Sequence, residues 1–198
     1  KLNITGNATL GGNLNISLVN GFAPVLGERY TILNYGGTLT GGFSQINGFN
    51  LGNGLLLQSL IVNKSLALDV VQDVNYKPGI FSFIANNFSV NENGTAVNAI
   101  TINRTGGTDG VASVTLTPTN GTATSPADYS NAPITVTFNQ GEGSKTVNIP
   151  IVNDTIYEGN ETLNLTLVNA TGGATLGTQI TANLTIIDND LPTISLAV

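Results

Sequence analysis

The sequence predicts an all-β protein, and three observations support that fold class. Short runs of Val, Ile, Leu and Thr alternate with polar residues, which is typical of strands with one buried face. Glycine, at 24 of the 198 residues, and asparagine separate these runs. No window sustains the spacing of an amphipathic helix over several turns. We therefore expect short strands joined by tight turns along the whole chain.

The first part of the chain predicts a small β-rich module over residues 1–74. Its alternating segments fall at 2–10, 14–19, 30–35, 55–62 and 65–71. Pairs such as Asn20-Gly21 and Gly36-Gly37 lie between them and favour tight turns, because both residue types tolerate positive φ. A polar linker over residues 75–79 follows, in which Pro78-Gly79 favours a turn over a central strand.

The second part predicts a two-sheet sandwich over residues 80–190. Seven candidate strands cover 80–83, 96–103, 112–117, 134–138, 145–151, 162–168 and 180–187, and most of them alternate. Residues 191–198 then alternate again, with Ile194, Leu196 and Val198 on one face. We interpret this tail as the first strand of a following module or as a strand donated to another subunit.

Composition excludes several classes of function. The excess negative charge lies after residue 75, where Lys77, Arg104 and Lys145 face nine acidic residues, so nucleic acid is not an expected partner. The absence of Cys excludes disulfides and thiolate metal sites. The absence of His removes the usual zinc ligand and the commonest general base, and we expect no enzyme. No apolar run is long enough to span a bilayer, so membrane insertion is not expected.

Acidic residues in the second part follow the ends of predicted strands. They are Glu92, Asp128, Asp154, Glu158, Glu161, Asp188 and Asp190. Strands that are otherwise almost uncharged, with carboxylates in the loops between them, indicate that the loops meet to hold a hard cation through oxygen ligands. The alternative is that these acids are ordinary solvated loop residues, which we retain for Asp109 and Glu142.

Short motifs follow one another in a fixed order along residues 79–190. They are Glu92, Arg104-Thr105-Gly106-Gly107, Gly121-Thr122-Ala123-Thr124 with Asp128-Tyr129, Ile149-Pro150-Ile151 with Asn153-Asp154, Glu158-Gly159-Asn160-Glu161, and Asp188-Asn189-Asp190. This order resembles a Calx-β domain. The resemblance implies a seven-stranded immunoglobulin-like sandwich that binds Ca²⁺ with no other cofactor. It implies that the seven acids named above are the ligands, together with the main-chain carbonyl of Ile156.

Two departures from the family pattern predict a modest site. Asn153 and Asn189 occupy positions that can be acidic, and an amide oxygen brings no charge to a cation. We expect one to three ions, bound in the range of about 10⁻⁵ to 10⁻³ M.

Residues 2–72 contain a loose series of motifs that includes Asn13 to Leu18, Gly27-Glu28-Arg29-Tyr30 and Gly42-Phe43. This series resembles the module that closes β-solenoids in bacterial haemagglutinin-like and autotransporter-like surface proteins. It implies a possible solenoid cap, and the alternative is a small free-standing antiparallel sheet domain.

Together these patterns predict a secreted segment of a large bacterial surface protein with repeated modules. Its expected role is structural or adhesive, with Ca²⁺ stiffening the junctions between modules of the same or an identical chain and with a cell-surface or matrix ligand as a further partner. The main alternative is a subunit of a homopolymeric filament joined by strand donation. Weaker alternatives are a carbohydrate-binding adhesin and a calcium sensor, the former disfavoured because there is no Trp and only 5 Tyr.

Overall fold

The structure is a computed structural model that describes residues 1–192, apart from the side chains of residues 96–98. The chain divides into two compact units, Lys1–Tyr76 and Lys77–Val198, which we call the first and second units. The predicted tail strand at 191–198 lies outside the described residues from residue 193 onward. The described residues contain no helix that is long and apolar enough to cross a membrane.

The first unit begins with two turns of chain stacked in parallel. Its strands are β1 (Leu2–Ile4), β2 (Ala8–Leu10), β3 (Asn13–Asn15), β4 (Arg29–Tyr35), β5 (Leu39–Gly41), β6 (Gln45–Asn47), β7 (Asn50–Gly52), β8 (Leu55–Val62) and β9 (Ser65–Gln72). Strands β1, β2 and β3 pair in parallel with β4, β5 and β6, respectively. Like side chains therefore stack: Asn34 donates to Asn3, and Asn47 donates to Asn15.

An antiparallel sheet completes the first unit, in the order β4, β9, β8, β7. Two small apolar clusters hold the unit together, one around Leu33 and Leu66 and the other around Leu68 and Val70. An antiparallel arrangement is wrong for β1 to β3, because these strands pair in parallel, although β4 also pairs antiparallel with β9. Alternation within each short run could not distinguish the two arrangements, since side chains alternate in both kinds of sheet.

The second unit is a sandwich of two sheets, which confirms the predicted all-β class. Its strands are β10 (Ile80–Phe83), β11 (Asn87–Asn91), β12 (Ala96–Asn98), β13 (Ile100–Thr105), β14 (Ala112–Asn120), β15 (Ile134–Phe138), β16 (Ser144–Val147), β17 (Glu161–Val168), β18 (Thr175–Leu176) and β19 (Thr181–Ile187). The smaller sheet has the order β16, β13, β10, β18, and the larger has the order β12, β11, β19, β17, β14, β15. Phe81, Phe138, Leu116 and Leu165 are fully buried between them.

The strands of the second unit differ from the seven predicted in three ways. The run at 96–103 is two strands, because the chain leaves the larger sheet after β12 and enters the smaller sheet at β13. The run at 145–151 ends at Val147, and Ile151 makes only an isolated bridge to Tyr129. The strands β11 and β18 were not predicted, because their apolar alternation covers too few residues to stand out.

Candidate metal centre

Sheet topology gathers the acidic loops at one pole of the sandwich. Strands β11 and β19 are parallel, so their final residues lie at the same edge, followed by Glu92 and Asp188. Strand β17 is antiparallel to β19, so its first residue, Glu161, lies at that edge too. Strand β14 is antiparallel to β17 and delivers the loop that carries Asp128 to the same pole.

Side-chain oxygens from seven carboxylates form three overlapping groups at this pole. Within each group the oxygens lie within 4.8 Å of one another, and the groups are Glu92 with Asp154 and Glu158, Glu92 with Asp188 and Asp190, and Asp128 with Glu158 and Glu161. Glu92 and Glu158 each belong to two groups. The structure therefore brings together all seven acids predicted from the sequence, and we call them the acidic cluster.

Two oxygens of the acidic cluster are buried without a hydrogen-bond partner. Glu92 is only 6% exposed, and its Oε1 accepts a hydrogen bond from the amide of Asp154 at 3.3 Å, whereas its Oε2 has no partner. Asp190 Oδ2 is also buried and unpartnered. Buried polar atoms are almost always paired, and a carboxylate oxygen left alone requires an explanation such as an ion.

Backbone amides organise the loops around Asp188. Its Oδ2 accepts hydrogen bonds from the amides of Glu158 at 2.9 Å and Gly159 at 2.6 Å, and its Oδ1 accepts one from Asp190 at 2.8 Å. These three donors lower the pKa of the Asp188 carboxyl, because they favour its charged form. Asn160 Oδ1 in turn accepts the Asp188 amide at 3.2 Å, so the two loops hold each other.

Asp128 and Asp154 are oriented by short local hydrogen bonds. Asp128 Oδ2 accepts the amide of Thr124 at 2.6 Å and its hydroxyl at 3.3 Å. The Asp128 carbonyl accepts the amide of Val152 at 2.9 Å, which ties the two acidic loops together. Asp154 Oδ1 accepts the amide of Ile156 at 2.7 Å and so shapes the turn on which Ile156 lies.

Burial, and after it the crowding of like charges, raises the pKa of two carboxyls in the acidic cluster. The pKa of Glu161 is raised to about 7, first by burial, then by a hydrogen bond and charge repulsion from Asp128, and then by Glu158 and Glu92. Burial, followed by repulsion from Asp128, Asp154, Glu92 and Asp188, also raises the pKa of Glu158. The loops hold these groups in their charged form only at an energetic cost.

No cation of the protein offsets this charge within the described residues. The ion pairs found there join Arg29 to Asp69 and Lys145 to Glu142, and neither involves the cluster. Arg104 is buried and donates to main-chain carbonyls instead. A concentration of carboxylate oxygens without a counterion, including two buried unpartnered ones, fits a Ca²⁺ ion, which takes six to eight oxygen ligands.

Several further residues lie at this pole, and the sequence analysis identified only some of them as functional. Asn153 and Asn189 are exposed, and the amide of Asn153 donates to the Asp154 carbonyl at 3.3 Å. The side chain of Ile156 is 60% exposed, and a ligand role for its carbonyl stays a prediction. The orienting roles of Thr124, Asn160 and the Gly159 amide were missed. Thr124 carried a sequence signal, since it stands four residues before Asp128 in a turn-rich segment.

The raised pKa of Glu161 predicts how the metal-free stability depends on pH. Its folded-state pKa of about 7 exceeds the unfolded value of 4.5, so its stabilising contribution is present below pH 4.5 and is lost as the pH rises to about 7. In chelator, we expect the melting temperature of the second unit to fall between pH 5 and pH 7.5, a range set by that shift of about 4.5 to 7. Glu161→Gln should flatten this profile. An unchanged slope in the variant would contradict the assignment.

Comparisons with known proteins agree with this architecture. The Calx-beta domain family model matches residues 75–190, more than half of the chain. The chain belongs to the Calx-β family. The chain resembles the crystal structure of CBD12 from CALX1.2, with a TM-score of 0.50 and 24% identity over 56% of this chain and 45% of that one. It also resembles the crystal structure of the Calx CBD2 domain, with a TM-score of 0.50 and 19% identity over 57% of this chain and 88% of that one.

A curated relative of this Calx-β protein is the adhesion G-protein coupled receptor V1 of Danio rerio. The two are 34% identical over 135 residues, which are 67% of this chain and 2% of the receptor. The chain therefore spans only a small fraction of that relative's length. The solved structures are less than 25% identical to this chain and establish its fold alone.

Proposed function

We propose that the Calx-β unit is a calcium-stabilised structural module of an extracellular or surface protein, with no catalytic role. The observation that carries the proposal is the pair of buried, unpartnered oxygens, Glu92 Oε2 and Asp190 Oδ2, inside a cluster of seven carboxylates. One of the similar solved structures is described as the calcium binding domain CBD12 of CALX1.1, which supports extending calcium to this chain.

The acids of the cluster have different roles in binding an ion. Glu92, which is shared by two oxygen groups, is the central ligand in this proposal, and Glu158 is the second shared ligand. Asp188 accepts two amides at Oδ2 and one at Oδ1, so we assign it mainly to shaping the loop and propose that Oδ1, which has the fewer bonds, contacts the ion. When bound, Ca²⁺ supplies the positive charge that the described part of the chain does not place here.

The position of the cluster supports a role at a junction between modules. Asp188 and Asp190 follow β19 directly and precede the exposed Leu191, which is 85% accessible. An ion held by Glu92, Asp188 and Asp190 would fix the exit of the chain to the end of β11. We therefore propose that calcium limits bending at this exit and lets the module act as a stiff spacer in an adhesive protein.

A thermal melt with and without calcium tests this proposal. Free Ca²⁺ a hundredfold above Kd adds about 2.7 kcal/mol of stability, if the unfolded chain does not bind it. For a unit of this size the melting temperature should rise by roughly 10 °C relative to excess chelator. Magnesium at equal concentration is the control, because Mg²⁺ requires a smaller, more regular site. Identical melts in calcium and chelator would overturn the proposal.

For the first unit, we propose a terminal pair of coils of a β-solenoid. Its support is the nearly constant offset of the stacked partners: side chains of Asn3 and Asn34 and of Thr9 and Thr40 meet 31 residues apart, and those of Asn15 and Asn47 meet 32 residues apart. A regular offset over three strand pairs is what successive coils require. The outer edge of β1 to β3 would then accept one more coil.

Duplicating one period tests the solenoid proposal. In a chain with residues 1–31 copied ahead of Lys1, the added coil should pair with β1 and β2 and slow amide exchange at Leu2–Ile4 and Ala8–Leu10. A copy in which the same residues are scrambled serves as the control. Unchanged exchange in the duplicated chain would contradict the proposal.

A further inference from the structure

The outer face of the larger sheet is uncharged and almost entirely polar. On β11, β14, β15, β17 and β19 the inward positions are apolar and mostly buried, apart from Asn120 and Glu161 at strand ends, so the alternate positions face outward. These outward positions hold Ser, Thr or Asn, except for Val168 and Ile187. No Lys, Arg, Asp or Glu faces outward on these five described strands, although the acidic cluster lies at the end of the same sheet.

A row of amide side chains crosses this face in register. Asn87 pairs with Asn183, Asn183 with Asn164, and Asn164 with Thr119, on four successive strands. Neighbouring strands lie about 4.8 Å apart, so the row presents a hydrogen-bonding group at each such step. Beside it, Thr166 pairs with Thr181 in a second row.

Three residues of this row, Asn87, Asn183 and Asn164, line an open groove of about 480 Å³. That size lies within the range of about 300–1,000 Å³ that is typical of small-ligand sites. Its polar lining includes Asn87, Asn164, Thr166, Gln179, Thr181 and Asn183. We call this the amide groove.

Two side-chain amides of the amide groove already donate within the protein, Asn87 to Asn86 Oδ1 and Gln179 to the Thr181 carbonyl, whereas Asn164 and Asn183 keep hydrogen-bonding capacity. The Asn164 side chain donates one hydrogen bond to the Asn120 carbonyl at 3.0 Å, which leaves its second N–H and its Oδ1. Within the described residues, no hydrogen bond engages the side chain of the exposed Asn183. A side-chain amide can donate and accept hydrogen bonds and has no net charge.

We propose that the amide groove binds a linear neutral carbohydrate. A sugar hydroxyl is both a donor and an acceptor, which matches a side-chain amide, and a neutral glycan matches a face without charged side chains. Repeating hydroxyl groups along an extended glycan also match groups repeated across the strands. A protein partner fits less well, because protein interfaces rely on apolar and aromatic anchors that the polar lining does not supply.

The proposal predicts weak binding that depends on the amides. Sugar sites gain much of their affinity from aromatic rings, and the groove lining contains none, so we expect a Kd of about 1 mM. Replacing one amide that bonds the sugar should weaken binding about tenfold. This inference is independent of calcium, because the groove residues are not members of the acidic cluster.

Titration of the whole chain with cellotetraose, maltotetraose and linear mannotetraose, followed by ¹H–¹⁵N NMR in calcium, tests the proposal. At least one neutral sugar should shift the amides of residues 86–87, 164–166 and 179–183. Asn183→Ala should weaken this binding about tenfold. Thr135→Ala is the matched control, because Thr135 lies on β15 at the other edge of the same face and should leave binding unchanged.

Three outcomes would overturn the proposal. The first is that none of the three sugars causes shifts at about 20 mM, well above the expected Kd. The second is that the shifts fall outside the groove residues. The third is that oligogalacturonate, which is charged, binds as well as the neutral sugars, because the match would then not rest on the uncharged face.

Discussion

Replacing Arg104 with Met is expected to lower the free energy of unfolding of the second unit by about 3 kcal/mol or more. Arg104 is only 2% exposed on β13, and its guanidinium donates to four main-chain carbonyls. These are Pro78 at 2.6 Å, Asp109 at 2.6 Å, Gly110 at 3.0 Å and Asn139 at 3.3 Å. Removing the donors leaves several carbonyls without partners, each at a cost of about 1–3 kcal/mol.

The planar arrangement of N–H donors on the Arg104 guanidinium contributes to stability as much as its charge does. Its acceptors come from three separate segments, so one planar group joins the start of the second unit to two loops. Lys carries three donors on a single nitrogen and cannot reach the same set. We therefore expect Arg104→Lys to recover only a minor part of the stability lost in Arg104→Met.

Urea unfolding followed at amide NMR signals of the second unit measures this prediction without assuming that both units unfold together. Lys145→Met is the matched control, because Lys145 lies on β16 of the same sheet and pairs with Glu142 in a partly exposed ion pair. That pair should contribute at most about 1 kcal/mol. If Arg104→Met and Lys145→Met cost the same, the four carbonyl contacts do not stabilise the fold as we infer.

Glu92→Gln is expected to change stability in opposite directions with and without calcium. The substitution removes a buried charge from two oxygen groups, so in chelator it relieves repulsion and should raise the free energy of unfolding by about 1 kcal/mol. In calcium it removes the central ligand, and most of the added stability of about 2.7 kcal/mol should disappear. Calcium affinity should fall by a factor of about 100.

Denaturant melts of wild type and variant in calcium and in chelator form a four-way comparison. Glu142→Gln is the control: Glu142 pairs with Lys145 and accepts the Asn139 amide, and it is not a member of the acidic cluster. Its calcium response should match that of wild type. Equal calcium responses in all three proteins would exclude Glu92 as a ligand.

The sequence predicted the acidic residues of the pole better than the hydrogen bonds that hold its loops in place. Carboxylates at the ends of alternating strands were enough to predict that acidic loops meet, because the ends of neighbouring strands share an edge, whereas the resemblance to Calx-β domains predicted which seven acids are the ligands. The role of Asp188 was not visible, since its bonds to the Glu158 and Gly159 amides depend on how two loops approach each other. The sequence analysis placed Arg104 only on a strand. The carbonyls that accept its hydrogen bonds belong to three segments that are far apart in sequence.

The first unit was harder to predict for a different reason. Its strands are only three residues long from β1 to β3, so alternation contains little information there. The constant offset between Asn3 and Asn34 or Thr9 and Thr40 is a long-range property that appears only when the chain is stacked. In a sequence rich in Asn, Thr and Gly, such pairs do not stand out from the background.

Calorimetric titration of the whole chain with Ca²⁺ at pH 7.5 measures directly whether the acidic cluster binds calcium. We expect saturable binding of one to three ions with Kd values of about 10⁻⁵ to 10⁻³ M, and loss of the tightest step in Glu92→Gln. No binding up to about 10 mM Ca²⁺, or the same isotherm for wild type and Glu92→Gln, would contradict it.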